Sequence, residues 1–257
     1  MAVSYDLTGM RLLVMGASSG VGREVGQMAC RAGARVAFAA RRREKLDEAV
    51  ARAEGEALAV ACDTTVSADC QRAVGEVVKA LGGLDGLVYS AGMSPLRRLD
   101  RASEEDWRPV LETNVMGASL ISAAVLPHLR ETAGRALYVS SYSVRKVLPG
   151  LSLYRVSKVA LDALIECWRV EFPEVCFTRA VVGNTSGTEF ATGWSPEETR
   201  DVLEEWKRRN VFPSNTMMPL DVLAEAVLSV LAVRGHVDDI AVMPHAGDAG
   251  MESPHDR

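Results

Sequence analysis

A tyrosine stands four residues ahead of a lysine at the end of SSYSVRKVLPGLSLYRVSK, which spans positions 140–158. On a helix that spacing sets Tyr154 and Lys158 on one face, a turn apart. The chemistry it permits is proton transfer. A free tyrosine titrates at about 10, too high for efficient exchange near neutrality, and an adjacent ammonium favours the phenolate and lowers that value. Ser141 closes an apolar strand pattern thirteen residues before Tyr154, where its hydroxyl can hold a substrate oxygen while the tyrosine moves the proton. Ser140 falls on the opposite side of an extended strand and is expected to point away. Tyr142 is the rival phenol, but no lysine follows it at the same interval, and Lys146 leads into Pro149 and Gly150 in what reads as loop.

A second cluster lies near the start of the chain. GASSGVG, residues 16–22, follows the apolar run RLLVM directly and opens a helical pattern. Glycine at Gly16, Gly20 and Gly22 lets the backbone turn tightly and approach a pyrophosphate, while a helix N-terminus offers unpaired N–H groups and the positive end of the dipole. Ser18, Ser19 and Val21 lie in the same turn and join the expected cofactor contacts. The spacing is G-x-x-x-G-x-G, distinct from the G-x-G-x-x-G of larger dehydrogenases. The next strand pattern ends AFAARRREKL. Where NAD-specific sites place an acidic residue for the ribose 2′-hydroxyl this chain has Ala40, then Arg41, Arg42 and Arg43. A guanidinium suits a 2′-phosphate through bidentate, charge-assisted bonds, so the expected cofactor is NADP(H), with Arg41 as first ligand and Arg42 as second. The remaining arginine reads as part of a solvated helix start.

These groups need a scaffold, and the pattern between them supplies one. RLLVM (11–15), RVAFA (35–39), ALAVA (57–61), GLVYS (86–90), ALYVS (136–140), VCFTRAVV (175–182) and DIAVM (239–243) alternate with helical segments. Near-continuous apolar strands separated by helices predict a parallel sheet covered on both faces. Helix boundaries are signalled too. Ser103 with Asp106 resembles a capping box, Ser195, Pro196 and Glu198 mark another start, and Gly33, Gly82 and Gly83 are placed as stops. The longest break in the alternation, 183–219, is a candidate substrate loop. It carries Phe190, Trp194, Trp206, Phe212, Met217 and Met218, which suit an apolar ligand, although Trp206 shares a helical stripe with Val202 and Leu203 and reads first as core.

Bulk properties narrow the function classes. At 257 residues and 48% hydrophobic content the chain can form one sizeable core, so residues 1–257 are expected to be a single domain. The net charge of -5, from 34 acidic and 29 basic residues, leaves no broad basic face for nucleic acid. No window approaches the roughly 18 uninterrupted apolar residues of a membrane span, and the N-terminus lacks a secretory pattern, so a cytoplasmic protein is expected. Cys30, Cys62, Cys70, Cys167 and Cys176 form no C-x-x-C pair and read as buried thiols in a reducing compartment.

Together these residues resemble the short-chain dehydrogenase/reductase family, in its single-domain branch, over almost the whole chain. The resemblance rests on GASSGVG, CDTT with Asp63, YSAG after the fourth strand, ETNVMG with Asn114, Ser141, and YRVSK with Tyr154 and Lys158. It implies an α/β, three-layer doubly wound Rossmann fold with a mostly parallel seven-stranded sheet. Asp63 and Thr64 would then lie at the adenine ring, Ser90, Ala91 and Gly92 along the nicotinamide ribose, and Asn114 would hold a water in the proton path. Lys158 would also bind the ribose hydroxyls, and the helices from Asn114 and from Tyr154 would form the packing faces of a homodimer or homotetramer. Departures from the family pattern occur at Met15, at Ser90 in the family's Asn-Asn-Ala-Gly turn, and at Val182, where Pro-Gly is usual. There Gly183 leads into NTSGT, with Thr185 and Thr188 near the carboxamide position. The implied activity is NADP(H)-dependent interconversion of a carbonyl and a hydroxyl on a moderately bulky, apolar small molecule. A dinucleotide-binding regulator without turnover, and an enoyl or imine reductase using the same site, stay open on sequence alone.

Overall fold

The computed structural model describes residues 5–211 and 216–245. In chain order it runs β1 (Arg11–Met15), α1 (Gly20–Arg31), β2 (Arg35–Ala40), α2 (Arg43–Ala51), β3 (Ala57–Ala61), α3 (Ser67–Leu81), β4 (Gly86–Tyr89), α4 (Glu104–Leu111), α5 (Gly117–Thr132), β5 (Arg135–Val139), α6 (Ser152–Glu171), β6 (Cys176–Val182), α7 (Pro196–Arg208), α8 (Leu220–Ala232) and β7 (Asp239–Val242). The strands form one seven-stranded sheet in the order β3-β2-β1-β4-β5-β6-β7, and each adjacent pair is parallel. The doubly wound Rossmann architecture follows, with the chain reversing direction across the sheet between β1 and β4.

Alternation along each strand explains the three layers. Leu13 and Met15 of β1 face a core shared with α3, α5 and α6, whereas Leu12 and Val14 face one shared with α1, α2 and α8. Both faces are buried, which is why the strands read as continuous apolar runs. Helix α1 lies close on the sheet because Gly26 carries no side chain: a Cβ there would come within 2.4 Å of the Phe38 ring on β2.

The helix punctuation matches local chemistry. At the start of α4 the Ser103 N–H donates to Asp106 Oδ2 at 3.0 Å, completing a capping box, and the Ser195 hydroxyl accepts from the Glu198 N–H at 3.1 Å ahead of Pro196. Gly82 caps α3 in the left-handed conformation (φ 74°).

The helical run after the Ser103 cap is continuous but not uniform. One turn of π-helix, Glu112–Met116, separates α4 from α5. The combined run Glu104–Thr132 is long and apolar enough by length and composition to cross a membrane. A count of uninterrupted apolar residues misses it, because Thr113, Asn114, Ser119 and Ser122 break the run. Within this fold Ala118, Ile121, Val125 and Leu129 are core residues packed with the sheet. The cysteines also divide: Cys30, Cys62 and Cys70 are buried as expected, whereas Cys167 is exposed and Cys176 half-buried. Cys167 falls on the outer face of α6, opposite the sheet-facing Leu161 and Ile165.

Candidate functional site

Parallel strands bring their carboxyl ends to one edge, and the segments that follow β1, β4, β5 and β6 meet there. Tyr154 and Lys158 lie in the first turns of α6, whose start at Ser152 sets them beside the end of β5. Both are buried, with the Lys158 Nζ 5.8 Å from the Tyr154 ring centroid and donating to the Val139 carbonyl at 2.6 Å. Ser141 begins a short 3₁₀ turn and its Oγ accepts the Ser143 N–H at 3.1 Å, while its hydroxyl is also a hydrogen-bond partner of the Tyr154 phenol. Ser140 does point away: its hydroxyl donates to Asp162 Oδ1 at 2.5 Å. Tyr142, the rival phenol, is exposed.

Asn114 sits in the π turn and is completely buried. Its Nδ2 donates to the Met93 carbonyl (2.9 Å) and to Ser157 Oγ (2.8 Å), and its Oδ1 accepts the Met93 N–H (2.9 Å). The side chain thus ties the segment after β4 to α6. Gly92 fits beside it: a Cβ there would lie 3.3 Å from Asn114 Oδ1 and 3.8 Å from Lys158 Nζ.

Burial dominates the electrostatics of this group. It drives the Tyr154 phenol up to about 12, against a hydrogen bond from Ser141, and the Lys158 ammonium down to about 8, against the attraction of Asp162. Asp162 in turn is pushed above the usual carboxylate range by burial, against its bonds to Ser140 and the nearby Arg179 guanidinium. The sequence reading expects Lys158 to bring the tyrosine down. In this arrangement desolvation outweighs that effect, with Phe190 edge-on to Tyr154 at 5.2 Å between centroids.

At the glycine loop, Ser19 occupies the N-cap of α1 without a side-chain capping bond. Its hydroxyl, like that of Ser18, instead accepts from Arg42 Nη2, at 3.1 Å and 2.8 Å respectively. Gly16 adopts φ +84°, and a Cβ on it would meet the Ala91 backbone nitrogen at 2.5 Å; one on Gly22 would meet Ser90 Oγ at 2.4 Å. Ser90 itself donates to the Met15 carbonyl at 2.9 Å, so the family's asparagine is replaced here by a hydroxyl that clamps β4 to β1. An uncapped helix start lined by glycine and hydroxyls, with a guanidinium alongside, fits a dinucleotide.

Arg41 and Arg42, the two arginines expected at the 2′-phosphate, are both exposed, and Arg42 is the one with a bond to the glycine loop. Arg42 is the N-cap of α2, and its side chain bonds the Ser18 and Ser19 hydroxyls of that loop. Lys45, which sequence reasoning passes over, joins Arg42 at Glu189: Arg42 Nη2 lies 2.7 Å from Glu189 Oε2 and Lys45 Nζ 2.8 Å from Oε1. These two bonds hold the Glu189 carboxyl at about 2. Lys45 was findable, being one turn beyond Arg42 on the same helix face. Glu189 was not, since nothing local brings residue 189 to residue 42.

Other expected positions are more loosely placed. Asp63 Oδ1 accepts from the Thr65 backbone and hydroxyl, and Thr64 is buried against Gly117. Gly183 and Thr185 form the base of the substrate loop: the Gly183 N–H bonds Val242, and Thr185 donates to the Gly183 carbonyl and bridges to Met218. Thr188, rather than Thr185, lies over the glycine loop, its Cα 3.6 Å from where a Gly20 Cβ would stand. Beyond it, the Ser94 hydroxyl donates to the Phe190 carbonyl at 2.5 Å and Trp194 Nε1 donates to the Ser94 carbonyl at 2.7 Å. Trp206 is core, buried with Leu96, Leu151 and Val202. Met217 is exposed, Met218 buried, and Phe212 lies outside the described residues.

Residues 11–199 match the short chain dehydrogenase family. The 11-beta-hydroxysteroid dehydrogenase 1A of Arabidopsis thaliana is 35% identical over 174 residues, covering 65% of this chain and 50% of that protein. The human dehydrogenase/reductase SDR family member 2, mitochondrial, is 32% identical over 184 residues, covering 70% of this chain and 66% of its own length. The chain spans about half the length of the first of these relatives. A short-chain type dehydrogenase/reductase from Mycobacterium marinum superposes with a TM-score of 0.81 at 26% identity, covering 93% of this chain and 96% of that one. The matched segment contains the glycine loop, Asn114, Ser141, Tyr154 and Lys158 in the order in which they converge in space, and the chain belongs to the short-chain dehydrogenase/reductase family.

Proposed function

We propose that this protein is an NADP(H)-dependent oxidoreductase that interconverts a carbonyl and a hydroxyl on an apolar, moderately bulky small molecule. The observation that carries the reading is the convergence of Ser141, Tyr154 and Lys158 at the strand edge where the uncapped, arginine-flanked glycine loop also lies. The chemistry a bound nicotinamide dinucleotide supplies there is hydride transfer. Ser18, Ser19 and Arg42 would hold its phosphates, and Lys158 its ribose hydroxyls.

The chain's own residues handle the proton and the substrate oxygen. Ser141 Oγ donates a hydrogen bond to that oxygen and fixes it within reach of Tyr154 Oη. Tyr154 gives its proton to the oxygen in the reducing direction and takes it back in the oxidising one. A phenol held at about 12 is a poised donor but a reluctant phenolate, so oxidation requires the charge of Lys158 and relief of the burial that Phe190 imposes. Asn114 holds the segment after β4 against α6 and so keeps Lys158 in register. Phe190 and Trp194, packed edge to face with centroids 5.6 Å apart, form an apolar wall beside the tyrosine, which favours an apolar substrate. The names of the hydroxysteroid dehydrogenases among the relatives are consistent with that choice.

The test is a carbonyl panel assayed with NADPH and NADH for wild type and Tyr154→Phe. The expected result is turnover of bulky apolar ketones with NADPH, falling about 10²-fold or more in the variant while NADPH binding is retained. Unchanged turnover in Tyr154→Phe would remove the tyrosine from the reaction, and tighter binding of NADH than of NADPH would overturn the cofactor assignment.

A further inference from the structure

Glu189 lies in the loop after β6, far in sequence from α2, yet its carboxylate fills the cationic corner made by Arg42 and Lys45 beside Ser18 and Ser19. That corner is where the proposed function places the cofactor's 2′-phosphate, and this inference rests on that reading. Two cations and two hydroxyls can satisfy one anion. They cannot satisfy a carboxylate and a phosphate at once without bringing like charges together. The residues flanking Glu189 are equally committed: Thr188 lies against Gly20, and Phe190 covers Tyr154 with its carbonyl held by Ser94.

We propose that Glu189 is an internal competitor for the 2′-phosphate, so that a 2′-phosphorylated cofactor enters by displacing it and thereby lifts residues 188–190 from the glycine loop and from Tyr154. The carboxylate acts as a latch. A ligand bearing only a 2′-hydroxyl does not compete with the carboxylate, so Glu189 weakens 2′-phosphorylated ligands selectively and ties the uncovering of Tyr154 to their entry: cofactor first, then substrate. The phenol stays covered until the correct anion arrives.

The experiment measures binding to the full chain by calorimetry, with adenosine 2′,5′-bisphosphate and 5′-AMP as probes, for wild type and Glu189→Gln. Glutamine keeps the length of the side chain and removes its charge, and its exposed position leaves folding intact, which a melting curve confirms. The expected result is about tenfold tighter binding of the bisphosphate in Glu189→Gln, the size of losing one charge-assisted competitor, with 5′-AMP changed less than about twofold. A second readout is chymotrypsin cleavage after Phe190, expected to be slow in wild type, faster once the bisphosphate is added, and fast in Glu189→Gln without it. Unchanged or weaker bisphosphate binding in the variant would overturn the latch, and so would equal tightening for 5′-AMP, which would make the loop a general cover. A preference of both proteins for NADH over NADPH would instead sink the cofactor reading, while the bisphosphate shift on its own decides the competition.

Discussion

Lys158 is 4% exposed and donates to the Val139 carbonyl, and burial lowers its ammonium to about 8. The consequence for stability has a definite sign. Below about 8 the lysine is charged in both folded and unfolded chains, and the fold bears the cost of burying it. Between about 8 and the unfolded value near 10.5 the unfolded chain binds the extra proton, so stability rises with pH in that window. Relative to Lys158→Met, wild type should therefore gain on the order of 3 kcal/mol from pH 8 to 10.5 in denaturant titrations. A flat difference would mean that Lys158 is solvated in the folded protein. At this scale the sequence was informative: it separated Tyr154 from Tyr142 and Ser141 from Ser140, because both distinctions follow from helix and strand periodicity. It gave no sign of the burial that raises the Tyr154 phenol, to which Phe190, from a loop thirty-six residues away, adds an edge-on ring contact.

At the scale of elements, the π turn Glu112–Met116 is the feature that positions Asn114. Inserting an extra residue into a helical turn redirects a side chain that would otherwise follow the regular spiral, and such turns gather at functional sites. Here it sends Asn114 into the gap between the segment after β4 and α6, where it makes bonds to Met93 and Ser157. Asn114→Ala removes the partner of the Met93 N–H and carbonyl and one of the two bonds at Ser157 Oγ, and should cost about 1–3 kcal/mol. Thermal unfolding should show this as a fall of several degrees for a chain of this size. A melting temperature unchanged within a degree would mean that water replaces the amide without loss. Apolar periodicity cannot announce a π turn, since the residues on either side keep the helical pattern. The strand ends and helix caps, by contrast, were legible because Gly, Ser and Pro act through their own backbone preferences.

The whole molecule presents one more apolar feature. Val156, Val159, Ala163, Cys167 and Val170 follow one another at helical intervals on α6, and all are exposed. A contiguous apolar stripe on a long helix is uncommon on a monomer and suits burial against another subunit. We expect the purified protein to sediment as a homodimer or homotetramer through this face, and Val159→Glu to shift it towards monomer. A monomeric wild type at micromolar concentration would remove that expectation. The sequence by itself determined the alternating α/β order, the glycine loop, and the tyrosine, lysine and serine of the candidate site, because each rests on spacing within one element or on the chemistry of a single turn. Only the tertiary structure decided which arginine reaches the glycine loop, that Glu189 pairs with it and Lys45, and that Phe190 covers Tyr154. Those are contacts between segments distant in sequence, formed where a parallel sheet gathers its loops at one edge, and no periodicity along the chain encodes which loops meet there.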